Sequence, residues 1–390
     1  VLLLCLGAPV RAADPSAGTW EGRVEIAGAS YDLLLDLRAA SGVTARGPEL
    51  DLRLADLEQS EDAIRFRIEG LPGTVSFRGT LSSDGTLLDG SAEIVPDAIP
   101  STDIYLVTLD RAWHVVSARN VTDRDGYDNQ PAFEPGGESF LYTSQRDGQT
   151  DIYRHVPGAA APVRVTDTAD TSEYSPTPMP GGTGFSVVRV EEDGTQRLWA
   201  FDRDGGGPRL LLPDARPVGY HAWLGPSTVA LFVLGEPPTL QIADLGNGEA
   251  REVATSIGRG MQPAPGGERT VTYVHKDDET VWTLRQAGPQ APAAILGPTL
   301  PGGEDFAYLP DGSILMGHGS TLQTFGSDGT WKVRIDLSPY GVREITRVAV
   351  HPGGRSLAVV GARDSAPPQP VTVPVTFRRL ASPEPQTPRR

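Results

Sequence analysis

Six short segments concentrate the residue types that bind polar ligands and move protons. They read "GYDNQP" from Gly126, "SEYSP" from Ser172, "GYHAW" from Gly219, "GRGMQP" from Gly258, "GGEDFAY" from Gly302 and "GVREI" from Gly341. The first three supply Tyr127, Asp128, Asn129, Glu173, Tyr174, Tyr220 and His221. The last three supply Arg259, Glu304, Asp305, Arg343 and Glu344. Carboxylates, one imidazole, two guanidinium groups and three phenols converging on one concave site would hold a small polar ligand. Asp128, Glu173, His221 and Glu304, joined by Asp305, also carry the oxygen and imidazole donors of a divalent-metal site. The competing reading is structural: Asp and Asn cap turns through backbone N–H groups, and Tyr packs between sheets.

The rest of the chain offers little catalytic machinery. His114, His155, His275, His318 and His351 are scattered, with no two at metal-binding spacing. No G-x-S-x-G elbow exists, so a serine-hydrolase unit has no nucleophile turn. "GHGS" at Gly317–Ser320 reads as a turn, and "GGG" at Gly205–Gly207 lacks the helix and Lys of a phosphate loop. "NVT" at Asn120 is a glycosylation triplet only on a eukaryotic secretory route. No catalytic residue is assigned.

What would position the six segments is a repeat. Turns of one kind recur at Pro135, Pro180, Gly225, Pro265, Pro310 and Pro352, at intervals of 45, 45, 40, 45 and 42 residues. They include "PAFEPGGE", "FAYLPDGS" and "VAVHPGGR". Each is followed by an apolar strand such as "SFLYTS" or "TVALFVL", then by third and fourth strand patterns. Four strands per unit at this period define a propeller blade. One four-stranded sheet cannot bury both faces, so the sheets must stack radially. The candidate segments each lead into an innermost strand, which puts them at the mouth of the central channel.

The last unit is short of strands, and the chain ahead of the first unit supplies them. "TDIYLVTL" at Thr102–Leu109 matches "TDIYRHV" at Thr150–Val156, and "ARNVT" at Ala118–Thr122 matches "VRVT" at Val163–Thr166. N-terminal strands are therefore expected to complete the C-terminal blade and remove its free edge. The alternative is that "VTVPVTF" at Val371–Phe377 takes one of those places; "ASPEPQTPRR" beyond it is too Pro-rich and polar to fold.

From Gly18 to about Glu93 the chain alternates with period two, in "TWEGRVEI", "YDLLLDL", "LDLRL", "IRFRI", "TVSFRGTL" and "LLDGSAEI". About six antiparallel strands imply a small barrel or curled sheet. Gly18, Trp20 and Gly22 open it, and Phe77, Gly79, Leu81, Gly85, Leu88 and Gly90 close it. This layout resembles the small lipocalin-like β domains at the front of some exported bacterial hydrolases. A barrel mouth able to take a small apolar ligand is one reading; a packing module is the preferred one.

"P-x-F-x-P-G-G-x-x-F-L-Y-T-S…D-I-Y" resembles the repeat of TolB-type six-bladed propellers, common in bacterial secreted proteins. The resemblance covers about Ser101 to Pro368. It implies a fold and brings no reaction with it. TolB itself carries an α/β N-terminal domain, so this chain is not TolB.

Composition bounds the setting. The 390 residues include 45 Gly and 35 Pro, which break helices and feed turns. A formal net charge of −16 repels phosphate backbones, so nucleic-acid binding is not expected. Val1–Val10 is apolar but too short to span a bilayer, and Val10-Arg11-Ala12 places small residues where a signal peptidase cleaves. Residues 1–12 thus read as the rear part of a signal peptide. Its loss would remove the single cysteine, Cys5, and with it any disulfide or thiolate.

The expectation is an all-β protein: a signal peptide at 1–12, a barrel-like domain at 13–99, a six-bladed propeller at 100–368 and a tail at 369–390. It is periplasmic or secreted and monomeric, without a transmembrane segment once processed. It acts as a binding or scaffold propeller toward a protein partner or a small polar or cell-wall ligand. The alternative is a periplasmic hydrolase or lyase with a divalent metal, the one cofactor considered, at the channel mouth.

Overall fold

The computed structural model describes residues 18–26, 29–37, 42–46, 52–60, 63–71, 73–96, 100–266, 269–288, 293–326, 328–364 and 370–380. The expected signal peptide lies outside these residues. The chain forms two compact units: Val1–Ala98 with Ala366–Arg390, and Ile99–Ser365.

The second unit is a six-bladed propeller of six four-stranded antiparallel sheets. The first blade runs outward from Asp128–Phe133 through Phe140–Arg146 and Gln149–His155 to Val163–Arg164. Four further blades repeat this order. The sixth pairs Arg347–Val350 and Ser356–Ala362 with Thr102–Leu109 and Val115–Asn120 from the other end of the sequence. The ring is therefore closed as the matching "TDIY" segments imply. Their aspartates do the same work in both blades. Asp151 accepts from Thr166 at 3.1 Å and Arg164 at 2.5 Å, and Asp103 accepts from Thr122 at 3.1 Å and Asn120 at 2.8 Å. Each carboxylate ties a third strand to its outer neighbour.

Alternation along the second strand of each blade serves two neighbours at once. Phe140 and Tyr142 pack with Ile104, Ala358 and Val360 of the sixth blade. Leu141, between them, packs with Phe185, Val187 and Phe201 of the second. A continuous apolar run such as "TVALFV" at Thr228–Val233 is buried on both faces for the same reason. The turn aromatics behave as expected: Phe133 packs against the cluster holding Phe140, and Trp223 and Tyr308 belong to interblade clusters of their own.

The first unit is an eight-stranded, nearly closed antiparallel sheet. Seven strands lie between Thr19 and Pro96. The eighth, Val371–Arg379, sits between Thr19–Ile26 and Leu87–Pro96. "VTVPVTF" thus belongs to the barrel and closes no blade. The reason is its alternation: Val375 and Phe377 are buried while Thr376 and Arg378 are exposed, a half-buried pattern that fits the barrel wall and not a blade covered on both faces. Two other readings shift. Gly42–Arg46 is a strand that alternation did not mark, and the fourth strand is Arg53–Gln59 rather than "LDLRL", with a register shift between Ala55 and Glu58.

The barrel interior is packed. Phe66 stacks on Phe77 with ring centroids 4.9 Å apart, and Phe377 meets both edge-on at 5.9 and 5.3 Å. The glycines of the opening and closing motifs sit at such close approaches. A Cβ on Gly22 would lie 2.3 Å from the Phe377 ring, and one on Gly90 would lie 2.2 Å from the Arg78 carbonyl.

Phe377→Ala is expected to destabilise the barrel unit by about 3–5 kcal/mol, because it opens a cavity beside two rings that cannot collapse onto each other. Urea denaturation of the full chain, followed by fluorescence of the buried Trp20 side by comparison with a Trp20→Phe background, checks this.

Candidate functional site

The six innermost strands surround a cavity of about 470 Å³ to which every blade contributes. Its levels follow the repeat. Five residues ahead of the anchor turns stand Gln130, Ser175, Tyr220, Asp305 and Arg347, all lining the cavity. Three residues further along each strand stand Phe133, Pro178, Trp223, Tyr308 and Val350. One end of the channel is polar and the other apolar. At about 3.3 Å per strand residue the two levels are roughly 10 Å apart.

The polar level is organised around Asp305. Its Oδ1 accepts from Arg347 Nη1 at 3.0 Å, and its Oδ2 accepts from Arg259 Nε at 2.7 Å. Arg347 Nη2 donates to the Tyr220 hydroxyl at 3.0 Å, and the guanidinium lies 5.1 Å from the centre of that ring. Arg259 also reaches Glu304 at 3.2 Å, which Lys276 approaches at 2.9 Å. Burial opposes the charge on Arg347, but Asp305 and Tyr220 outweigh it, and its pKa lies above the ordinary value. Burial likewise opposes the Glu304 carboxylate, yet Lys276 and Arg259 hold it below the usual range. Tyr127 stands within reach of the Arg347 and Arg259 charges. Burial pushes its phenol up to about 12, while Arg347 pulls the other way.

The predicted residues divide. Tyr220, His221, Arg259 and Asp305 line the cavity. Tyr127 and Tyr174 stand near the charges of the mouth, and Tyr174 donates to Thr150 at 3.2 Å. Asp128 and Glu173 are fully buried. Asp128 accepts from Ser144 at 2.6 Å and pairs with Arg124 at 3.0 Å; burial pushes its carboxyl up. Glu173 accepts from Thr168 at 2.6 Å, Thr171 at 2.8 Å and Arg189 at 2.9 Å. Asn129 bonds the backbone N–H of Gln130 at 2.7 Å. Arg343 is exposed and pairs with Asp364 at 2.7 Å, away from the channel lining.

The candidate metal set is therefore not assembled. Asp128, Glu173, His221 and Glu304 are each bound by side chains of their own surroundings, and among the described residues no group of three or more His, Cys, Asp or Glu is placed to hold a metal ion. The physical reason is that an acidic residue at the start of an inner strand sits under its neighbour's hydroxyl and guanidinium groups, which satisfy it locally.

Arg347 is a channel residue that the sequence segments do not include. "GVREI" reads as the segment entering the last inner strand, but that strand begins at Arg347, after a short 3₁₀ turn at Ser338–Tyr340. Counting back five residues from the Pro352 turn would have found it.

Below the mouth, His221 Nε2 lies 2.6 Å from Ser186 Oγ, and Trp223 Nε1 donates to that oxygen at 2.9 Å. A Ser–His contact of this length can make a nucleophile. Here Ser186 is fully buried, so the pair positions the imidazole and presents no attacking oxygen. Burial lowers the His221 pKa to about 3 from 6.5, and its Nδ1 has no hydrogen-bond partner.

No protein-family model matches the chain, and no curated protein sequence matches it. Among solved structures, a TolB-like protein from Agrobacterium tumefaciens superposes with a TM-score of 0.57 at 14% identity, over 69% of this chain and 100% of that one. TolB from Acinetobacter baumannii gives 0.38 at 14% identity, over 74% and 65%. A gluconolactonase from Xanthomonas campestris gives 0.47 at 12% identity, over 73% and 98%. At such identities the likeness is one of fold, and the first superposition carries it. The second unit is a six-bladed β-propeller similar in fold to that TolB-like structure. To it this chain adds a nearly closed eight-stranded sheet. Among the described residues no helix is long and apolar enough to cross a membrane.

Two outcomes are expected. Asp305→Ala leaves two guanidinium groups facing each other without their shared carboxylate, which costs about 3–5 kcal/mol of stability in urea denaturation. His221 stays neutral in the folded chain down to about pH 3 but takes a proton at about 6.5 once unfolded. Its contribution is present above pH 6.5 and is lost as pH falls toward 3, by at most about 1.4 kcal/mol per unit. Urea midpoints between pH 7 and pH 4 should show this slope, and His221→Gln should flatten it.

Proposed function

We propose that the chain is an exported binding propeller that receives a small polar ligand, or an exposed segment of a protein partner, at its channel mouth. The observation that carries this reading is the convergence of all six inner strands on one cavity of about 470 Å³, with Tyr220, Arg259, Asp305 and Arg347 gathered at one end. That volume suits a small molecule, and few, convergent polar groups in a concave site are what orient one. Export to the periplasm or beyond rests on the apolar leading segment and its small-residue cleavage pattern. Function here is argued from the site, since a propeller fold serves many roles.

Native mass spectrometry of the chain recovered from the periplasmic fraction of its own host, without chelator, tests the reading. A stoichiometric small-molecule or peptide adduct that Tyr220→Ala reduces is expected. A bare chain mass under all gentle conditions, together with a cytoplasmic location, would overturn it.

A further inference from the structure

We infer that the ligand of this channel is a small monoanion with an apolar body, its carboxylate held at Arg347 and Arg259 and its body lying toward Trp223. The inference rests on the binding reading above and narrows it to a ligand class.

Three observations lead there. The charged side chains lining the cavity are Arg259, Asp305 and Arg347, two cations against one anion, in a chain whose formal net charge is −16. Glu304 does not restore the balance, because Lys276 stands beside it at 2.9 Å. A guanidinium has five N–H donors in a fixed fork. Arg347 spends one on Asp305 and one on Tyr220, which leaves donors for an arriving carboxylate. In a low-dielectric channel such an excess of positive charge concentrates anions from solution. Asp305 blocks a cation at the same place and fixes both guanidinium planes.

The second observation is the other end of the channel. Phe133, Pro178, Trp223 and Val350 form its wall roughly three strand residues from the mouth, about 10 Å along the axis. An unbranched body of seven or eight carbons spans that distance.

The third lies between the two levels. His221 is 7% exposed, lines the cavity, and its ring nitrogen Nδ1 is without a partner. A buried polar atom left unpaired is unfavourable. With Nε2 fixed on Ser186 at 2.6 Å, the imidazole is a held polar point in the channel wall between the charged level and the apolar one.

Titration calorimetry of the full chain with octanoate, octanol, octylamine and butanoate tests this. Octanoate should bind at least tenfold more tightly than octanol, and octylamine should not bind. Butanoate should be weaker than octanoate by about three- to fourfold for each missing methylene. Arg347→Gln should bring octanoate down to the affinity of octanol. Arg259→Gln, at a more exposed position, serves if that variant does not fold. If octanol or octylamine equals octanoate, the anion inference is overturned while a binding channel stands. If octanoate binds equally well to both arginine variants, it binds elsewhere and the inference is overturned. If none of the four binds, the inference is again overturned, and the wider reading is then judged by the native mass spectrum alone.

Discussion

A four-stranded sheet made of sequences such as "FLYTS" and "TVALFV" has no polar face to show to water. Every blade in this chain therefore depends on two others, and six interblade clusters replace a single core. That dependence has no natural end until the ring closes. The last blade is completed by Thr102–Leu109 and Val115–Asn120, so the sequence's two extremes of the propeller share one sheet. Ile104 and Val107, on opposite faces of the same N-terminal strand, then enter two different clusters. The strand is both a sheet member and the link between the first and fifth blades.

Closure also decides where chemistry can occur. Once both faces of each blade are covered, the free groups of the inner strands point only along the channel. Polar residues that enter the interblade layer must find partners there, and Asp128 does so with Ser144 and Arg124, Glu173 with two threonines and Arg189. Residues at the level of Asp305 and Arg347 escape this layer. They meet across the axis from different blades: Arg259, Asp305 and Arg347 come from the fourth, fifth and sixth, and Tyr220 from the third. The mouth is thus a property of the closed ring and of no single repeat.

This is why the fold was legible in the sequence and the site only half so. Turn chemistry and period fixed the blades, since a Pro-Gly-Gly reversal and a doubly buried strand can be recognised locally. The identity of the closing strands was legible too, because Asp103 and Asp151 sit in the same "TDIY" frame and bond the same kind of threonine. The site was harder. Local reading ranks Asp128, Glu173 and Asp305 alike as acidic residues opening an inner strand. Asp128 and Glu173 stand seven residues ahead of their turns and are held by hydroxyl neighbours, whereas Asp305 stands five ahead, at the channel level, and faces two arginines. Arg343 and Arg347 differ in the same way: a short 3₁₀ turn delays the strand and moves the channel arginine by one helical-turn's worth of sequence.

The barrel poses the opposite problem of range. Its strands Thr19–Ile26 and Leu87–Pro96 are not neighbours; Val371–Arg379 lies between them and supplies Phe377 to the ring cluster with Phe66 and Phe77. Seven strands emerge from the first quarter of the chain, yet the sheet keeps a gap at its centre until the last described strand arrives. The closure entropy of so long a loop grows only logarithmically with its length, so the cost in stability is modest. The cost in time is larger, because contacts of this sequence separation form late. Alternating strands with an open seam are exposed to wrong pairing during that delay. The glycines of the opening motif answer part of this. Gly22 leaves room that only the Phe377 ring fills, so the seam favours its own eighth strand over a register-shifted substitute.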